Sequence, residues 1–313
     1  MKNLNLLKFF GIIILSCFLL TNCNTKEKTK KTNLSEKIDV VEITTNIMDF
    51  NTLDTIKSGW HIFRYINNSA ETHFFLLDKY PEGVTIENAE KEVAPVFQEG
   101  MYLINEGKPE EGFKEFQKLP EWFYNVVFTG GSGLVSPGKK SETTLYIEPG
   151  YYVIECYVKM ANGVFHSSMG MVKQLIVEGK GKDSIQISPN AKITISSTNG
   201  IICNDTIKKG KQTFSVYFED QKTYENFVGH DVNLVKIESD SIQKLENWMN
   251  WANPKGLINP SPEGFTFLGG VNDMPTGSTA YFTANLNEGT YALISEVPNP
   301  STKNLLKVFT VSN

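Results

Sequence analysis

One stretch of this chain occurs twice. Asp54-Thr55-Ile56-Lys57-Ser58-Gly59-Trp60-His61-Ile62-Phe63 returns as Asp205-Thr206-Ile207-Lys208-Lys209-Gly210-Lys211-Gln212-Thr213-Phe214. The echo continues: Phe128-Thr129-Gly130-Gly131 is answered by Phe267-Leu268-Gly269-Gly270. Gly138 pairs with Gly277, Gly150 with Gly289 and Tyr152 with Tyr291, all at an offset of 139. The early segment has an offset of 151, so the first copy is longer in its middle. A period above 100 residues is too long for a solenoid. It predicts two tandem domains built on one plan, which suits a chain of 313 residues.

The N-terminus reads as an address. Lys2 and Lys8 precede an apolar run from Phe9 to Leu20 that is short for a membrane span and has the layout of a signal peptide, assigned to residues 1–22. Leu20-Thr21-Asn22-Cys23 resembles a bacterial lipobox, although Asn22 stands where Gly, Ala or Ser is usual. The resemblance implies lipidation of Cys23, a membrane anchor, and residence in the bacterial cell envelope. Residues 24–37 carry five Lys against two Glu and few apolar side chains, so 23–37 is expected to be a flexible tether. The remainder of the chain is acidic, and no basic stripe points to nucleic acid. Cys156 and Cys203 fall in different repeats, so a bridge between them would be an inter-domain staple.

The folded part alternates short apolar runs with Gly, Pro, Asn and Asp turns. Trp60–Ile66, His73–Leu77, Thr144–Ile147, Tyr151–Val158 and Met171–Val177 read as strands, and many short strands with turn punctuation predict a β-sandwich. Helical spacing occurs over Ile86–Glu106, Pro109–Phe116 and Asp240–Trp251, as insertions expected to cap the sandwich. His61 lies on an alternating strand and reads as structural, and Trp60 and Trp122 as packing aromatics.

The first repeat resembles the cupredoxin family. The residues that carry the resemblance are the Gly59-to-Phe63 strand, the Asn67-Asn68-Ser69 turn and His73 opening the next strand. They continue with Pro149-Gly150 through Cys156, His166, and Gly170-Met171 before a Val-rich strand. The resemblance implies an all-β fold with two tandem cupredoxin-like β-sandwich domains, 38–180 and 185–313, carrying short helical insertions. It also implies that copper, if bound, is held once, in the first domain, by His73, Cys156, His166 and Met171. A thiolate and two imidazoles form a trigonal set that a thioether completes. Met169 competes with Met171, and Phe74 stands where the family often has Asn. In the second repeat Ser295 replaces Cys156, Asp231 falls near the place of His73 with His230 before it, and Glu296–Leu305 contains no His or Met.

Four histidines cannot furnish a multi-copper active site, and no Ser-His-Asp set, paired-carboxylate frame or phosphate loop is present, so no enzyme is expected. The leading expectation is a metal-free, cupredoxin-like binding module that meets an envelope partner through its loops. The alternative is a type 1 copper protein for electron transfer or copper handling, with a redox partner.

Overall fold

The strands begin where the sequence alternates. In the computed structural model, which describes residues 38–312, β1 (Asp39–Thr45) lies parallel to β2 (Thr55–Asn67). From Gly59 on, β2 buries every second side chain, including Phe63 and Tyr65, as a period of two requires of a strand with one face on a core. The first half continues with β3 (Leu76–Lys79), β4 (Val127–Gly131), β5 (Lys140–Ile147), β6 (Gly150–Glu155) and β7 (Val172–Lys180). The second half has β8 (Ala191–Ser196), β9 (Gly200–Ile202), β10 (Gly210–Phe218), β11 (Val232–Ile237), β12 (Phe265–Val271), β13 (Thr279–Leu286), β14 (Gly289–Ile294) and β15 (Leu306–Val311). The fold is all-β with short helical insertions, in two sheets.

The repeat is visible in the backbone. β5 and β13, and β6 and β14, have the same lengths at the 139-residue offset. β3 pairs Leu76 with Gly131 and Asp78 with Phe128 across a bulge; β11 pairs Asn233 with Gly270 and Val235 with Phe267 across the same bulge. The repeated Gly-Gly has a steric cause in both copies. Gly130 and Gly269 sit at φ +94° and +93°, where a side chain is strained, and a Cβ on Gly131 or Gly270 would lie 1.9 Å from the carbonyl oxygen of Phe75 or Val232.

The halves are joined by sheet. One sheet runs in the order β4-β3-β6-β7-β2-β5-β13-β10-β8-β9, with β1 on β2; the other is β12-β11-β14-β15. At the junction β5 pairs antiparallel with β13, Thr143 opposite Phe282, and these two are each other's counterparts in the repeat. The register is therefore that of a local two-fold axis, an isologous contact made within one chain. Trp60 packs edge-on against Tyr146 and lies against Tyr281 across this seam. Residues 38–312 form one compact unit, so Glu178–Asn190, whose Gly179, Gly181 and Pro189 suggest a short hinge, links halves already locked by the β5–β13 ladder.

The helical insertion of the first half is broken where its sequence demands it. A turn at Ile86–Asn88 and a π-helical stretch Ala89–Val93 precede the helix Ala94–Asn105. Pro95 has no N–H to give, so the ladder resets there and Pro occupies a helix start. Helices Pro109–Glu115 and Ile242–Met249 complete the insertions. The signal peptide 1–22, lipidated Cys23 and tether 24–37 lie outside the described residues, and no helix among the described residues is long and apolar enough to cross a membrane.

Candidate metal centre

Three polar side chains of the first half meet in a fully buried place. His73 precedes β3 and is fixed by a bridge to Val135, donating its backbone N–H to the Val135 carbonyl at 3.2 Å and accepting from Val135 N–H at 2.7 Å. Cys156 follows the last residue of β6, where Glu155 is gripped between Leu76 and Val172. His166 lies in the loop between β6 and β7. Its N–H donates to Val158, and its carbonyl accepts from both Met169 and Met171, closing a 3-10 turn at Ser167–Met169 with Gly170 at φ +92°.

The donor atoms face one another. His73 Nδ1 and His166 Nδ1 are 3.1 Å apart, and Cys156 Sγ lies 3.7 Å and 3.8 Å from them. Among the described residues this is the one group of three His, Cys, Asp or Glu donors within reach of a single ion. A point equidistant from the three atoms falls about 2.1 Å from each, the length of a transition-metal bond to imidazole nitrogen or thiolate. The residues therefore fit copper: two nitrogens and one soft sulfur in a plane are a blue-copper donor set. Met171 is buried and tied to the His166 carbonyl, whereas Met169 is 53% exposed, so burial separates the two candidate thioethers.

Dryness sets the electrostatics. Burial pushes the Cys156 thiol up to about 12, opposed by backbone N–H groups of Phe74 and Val158. With Phe at position 74, the hydrogen bond to the sulfur from this position comes from the backbone. Burial lowers His73 to about 4, against the pull of Asp49 and the Ile47 carbonyl; burial and then the neighbouring His73 lower His166 to about 3. The metal-free pocket holds a neutral thiol and two neutral imidazoles. A cation placed among them offsets the cost of a buried thiolate.

Residues that the sequence did not single out hold the ligands. Glu71 Oε2 lies 3.4 Å from His166 Nε2, leaving Nδ1 free to face the sulfur. Asn259, from the second half, lies 3.4 Å from the same Nε2, and its side-chain oxygen accepts the Thr72 N–H at 3.0 Å. Lys159, wholly buried, donates Nζ to the carbonyls of Trp251 (2.7 Å) and Asn253 (2.9 Å), and burial lowers it to about 7. It pins the segment between Cys156 and His166 to the second half. Glu71, two residues before His73, is near enough in sequence to be suspected; for Asn259 and Lys159 the sequence carries no signal.

The remaining side chains fall elsewhere. His61 is buried and bonds the Lys57 carbonyl at 2.7 Å, a structural place. Trp122 donates to Glu92. Cys156 and Cys203 are both buried free thiols, not a staple. The shared bulge makes His230, not Asp231, the counterpart of His73, and His230 is turned toward Tyr224 and Asp220.

No family model and no curated protein matches the chain. Among solved structures, an auracyanin from Roseiflexus castenholzii is 21% identical over 46% of this chain and 98% of its own, with a TM-score of 0.27. Auracyanin A of Chloroflexus aurantiacus, a blue copper protein, is 19% identical over 45% and 100%, TM-score 0.28. The copper-containing nitrite reductase of Thermus scotoductus is 12% identical over 87% and 61%, TM-score 0.22. At these scores the likenesses carry no weight of their own; the donor set does.

The expectation of a metal-free binding module is overturned by the donor set: two imidazoles and a thiol do not converge, buried, in a scaffold that needs them only for packing. The chain has a doubled all-β fold with one type-1-copper-like donor set, built by its first half and covered by its second.

Proposed function

We propose that this chain is a single-copper electron-transfer protein of the bacterial cell envelope, anchored through Cys23. The observation that carries the reading is the buried triangle of His73, Cys156 and His166 donors. Bound there, copper would supply a one-electron couple between Cu(I), suited by sulfur, and Cu(II), suited by imidazole. The protein's part is to hold the donors still. The Val135 bridge fixes His73, the doubly bonded His166 carbonyl fixes the loop, and Lys159 fixes the approach to it. Complete burial of all three donors favours a resident metal over one handed on. The two other histidines, His61 and His230, are engaged with Lys57, Tyr224 and Asp220, which supports a carrier over a multi-copper enzyme.

The test is absorption spectroscopy of the purified protein after Cu(II) addition and dialysis. One copper per chain and an intense visible thiolate-to-copper band, absent in Cys156→Ser, supports the reading; colourless protein without retained copper refutes it. Loss of detergent-phase partition in Cys23→Ala tests the anchor.

A further inference from the structure

We propose that a cavity beside the metal centre binds a small neutral phenol, one aromatic ring whose hydroxyl donates to Asn226. The cavity measures about 120 Å³ and lies between the helical insertion, the loop that carries His166 and residues 226–228 of the second half. Tyr157 and Phe165, which adjoin Cys156 and His166 in sequence, belong to its wall, and the exposed Glu90 marks its mouth. Close-packed interiors leave few voids larger than a water molecule, and this one is held open by its own rings. Phe97 lies edge-on to Phe123, Phe165, Phe227 and Trp251, at centroid distances of 5.6, 6.5, 5.8 and 5.9 Å. Edge-to-face contacts fix ring orientation, so the wall is set before a ligand enters.

Two independent features fall on neighbouring residues of that wall. Phe227 has φ +65°, a left-handed conformation that a bulky side chain rarely adopts, and strain of this kind collects at ligand sites. Asn226 is fully buried and lines the cavity, and no donor among the described residues meets its Oδ1. The amide orientation follows from its neighbour. Asn250 Oδ1 accepts the Ala252 N–H at 3.1 Å, so the Asn226 atom 3.3 Å from that oxygen is Nδ2, and Oδ1 is the atom left over. Buried acceptors are normally paired, so this one calls for a donor from the occupant. It does not call for a charge. The wall holds no Lys, Arg or His. Asp78 and Glu155, on the paired strands β3 and β6, share a hydrogen bond, and burial raises both, and Asp273 with them, so the wall gathers no charge that would select an ion. A neutral aromatic wall with one orphaned acceptor fits a neutral ring with one O–H. The volume sets the size, since an apolar cavity of about 150 Å³ takes benzene.

The experiment is calorimetric titration of the intact protein, at about pH 5.5, with phenol, fluorobenzene, benzylammonium and benzoate. Fluorobenzene matches phenol in size and lacks the donor. The proposal expects one phenol site, at least about tenfold tighter than fluorobenzene, with both ions excluded. In Asn226→Leu the two neutral probes should bind within about twofold of each other. Equal binding of phenol and fluorobenzene by the unaltered protein would mean an apolar cavity without a recognising acceptor. A phenol preference that survives in Asn226→Leu would assign the recognition to another group, binding of either ion as tightly as phenol would mean a charged site, and binding of none at millimolar concentration would mean a packing void; each overturns the proposal. The fluorobenzene comparison needs no variant, so a poorly folded Asn226→Leu leaves the test intact. Copper plays no part in these readouts, so this reading and the electron-transfer reading fail separately.

Discussion

The end of β6 and the end of β14 are the same place in the two copies, and they are finished differently. After β14, Ser295 Oγ donates to Asp231 Oδ1 at 2.6 Å, the Glu296 N–H donates to the same oxygen at 2.7 Å, and Asn233 Nδ2 donates to Oδ2 at 2.5 Å. After β6, Cys156 replaces the serine and Phe74 occupies the place of Asp231, so no carboxylate is there to gather donors. The loop to the last strand runs from 156 to 171 in the first copy and only from 295 to 305 in the second. The longer loop carries His166 and Met171. One frame closes on itself by hydrogen bonds, and the other leaves three donors facing a common centre. The difference locates function where the frame does not satisfy its own polar groups.

The strongest test of the comparison exchanges the two ends. Cys156→Ser should weaken copper binding at least about 1,000-fold and abolish the visible band, whereas Ser295→Cys, without imidazoles turned toward it, should add no copper in metal analysis. In the unaltered protein, copper affinity should rise about tenfold per pH unit between about pH 5.5 and 8. Only the thiol, raised by burial, has a proton to lose; the imidazoles, lowered to about 4 and about 3, are already neutral. Competition titrations with a chelator would check the slope, and a slope of zero would remove Cys156 from the ligand set.

Stability should report the acids shared between the halves. Burial raises Asp231 to about 7 and Asp273 to about 6, and moves Asp78, Glu155 and Glu296 upward as well. In that range the folded protein binds more protons than the unfolded chain, so their contribution is fully present below the unfolded carboxylate values near pH 4 and is lost as pH rises through 6 to 7. His73, His166, His230 and Lys159 oppose this, because burial lowers all four and they bind fewer protons when folded, but they are outnumbered by the five carboxylates. The metal-free protein should melt about 5–10 °C lower at pH 8 than at pH 5.5 by calorimetry. A melting point that rises over this interval would contradict the assignment.

Asp231→Ala should cost about 2 kcal/mol in urea unfolding, because the Ser295 hydroxyl and the Glu296 N–H lose their acceptor, and leave the copper spectrum unchanged. Loss of the spectrum would show that the second copy's knot shapes the first copy's site. The smallest effect separates the thioethers. Met171→Leu should shift the visible band and raise the reduction potential by tens of millivolts, while Met169→Leu, at an exposed position, should move neither in voltammetry.

Much of the fold is legible in the sequence. Alternation in Trp60–Ile66 and in Gly210–Phe218 gives strands because a period of two is a local property of the backbone. The Gly-Gly pairs, the duplication and the Cys156–His166–Met171 order were plain in the chain, since each depends on residues near in sequence or on a repeated word. The metal is harder to read from sequence: a lone buried Cys and two lone His have ordinary roles, and only their convergence within one pocket distinguishes ligands from core.

Sequence alone thus determined the duplication, the strand-rich class and the ligand types in their order. The tertiary structure decided which methionine is buried, that β5 and β13 fuse the copies about a local axis, and that Asn259 and Lys159 bring the second copy onto the first copy's site. The reason is physical. Periodicity and turn chemistry act between neighbours, whereas Asn259 meets His166 across 93 residues of chain, a contact chosen by the packing of the whole molecule and by no local preference of either residue.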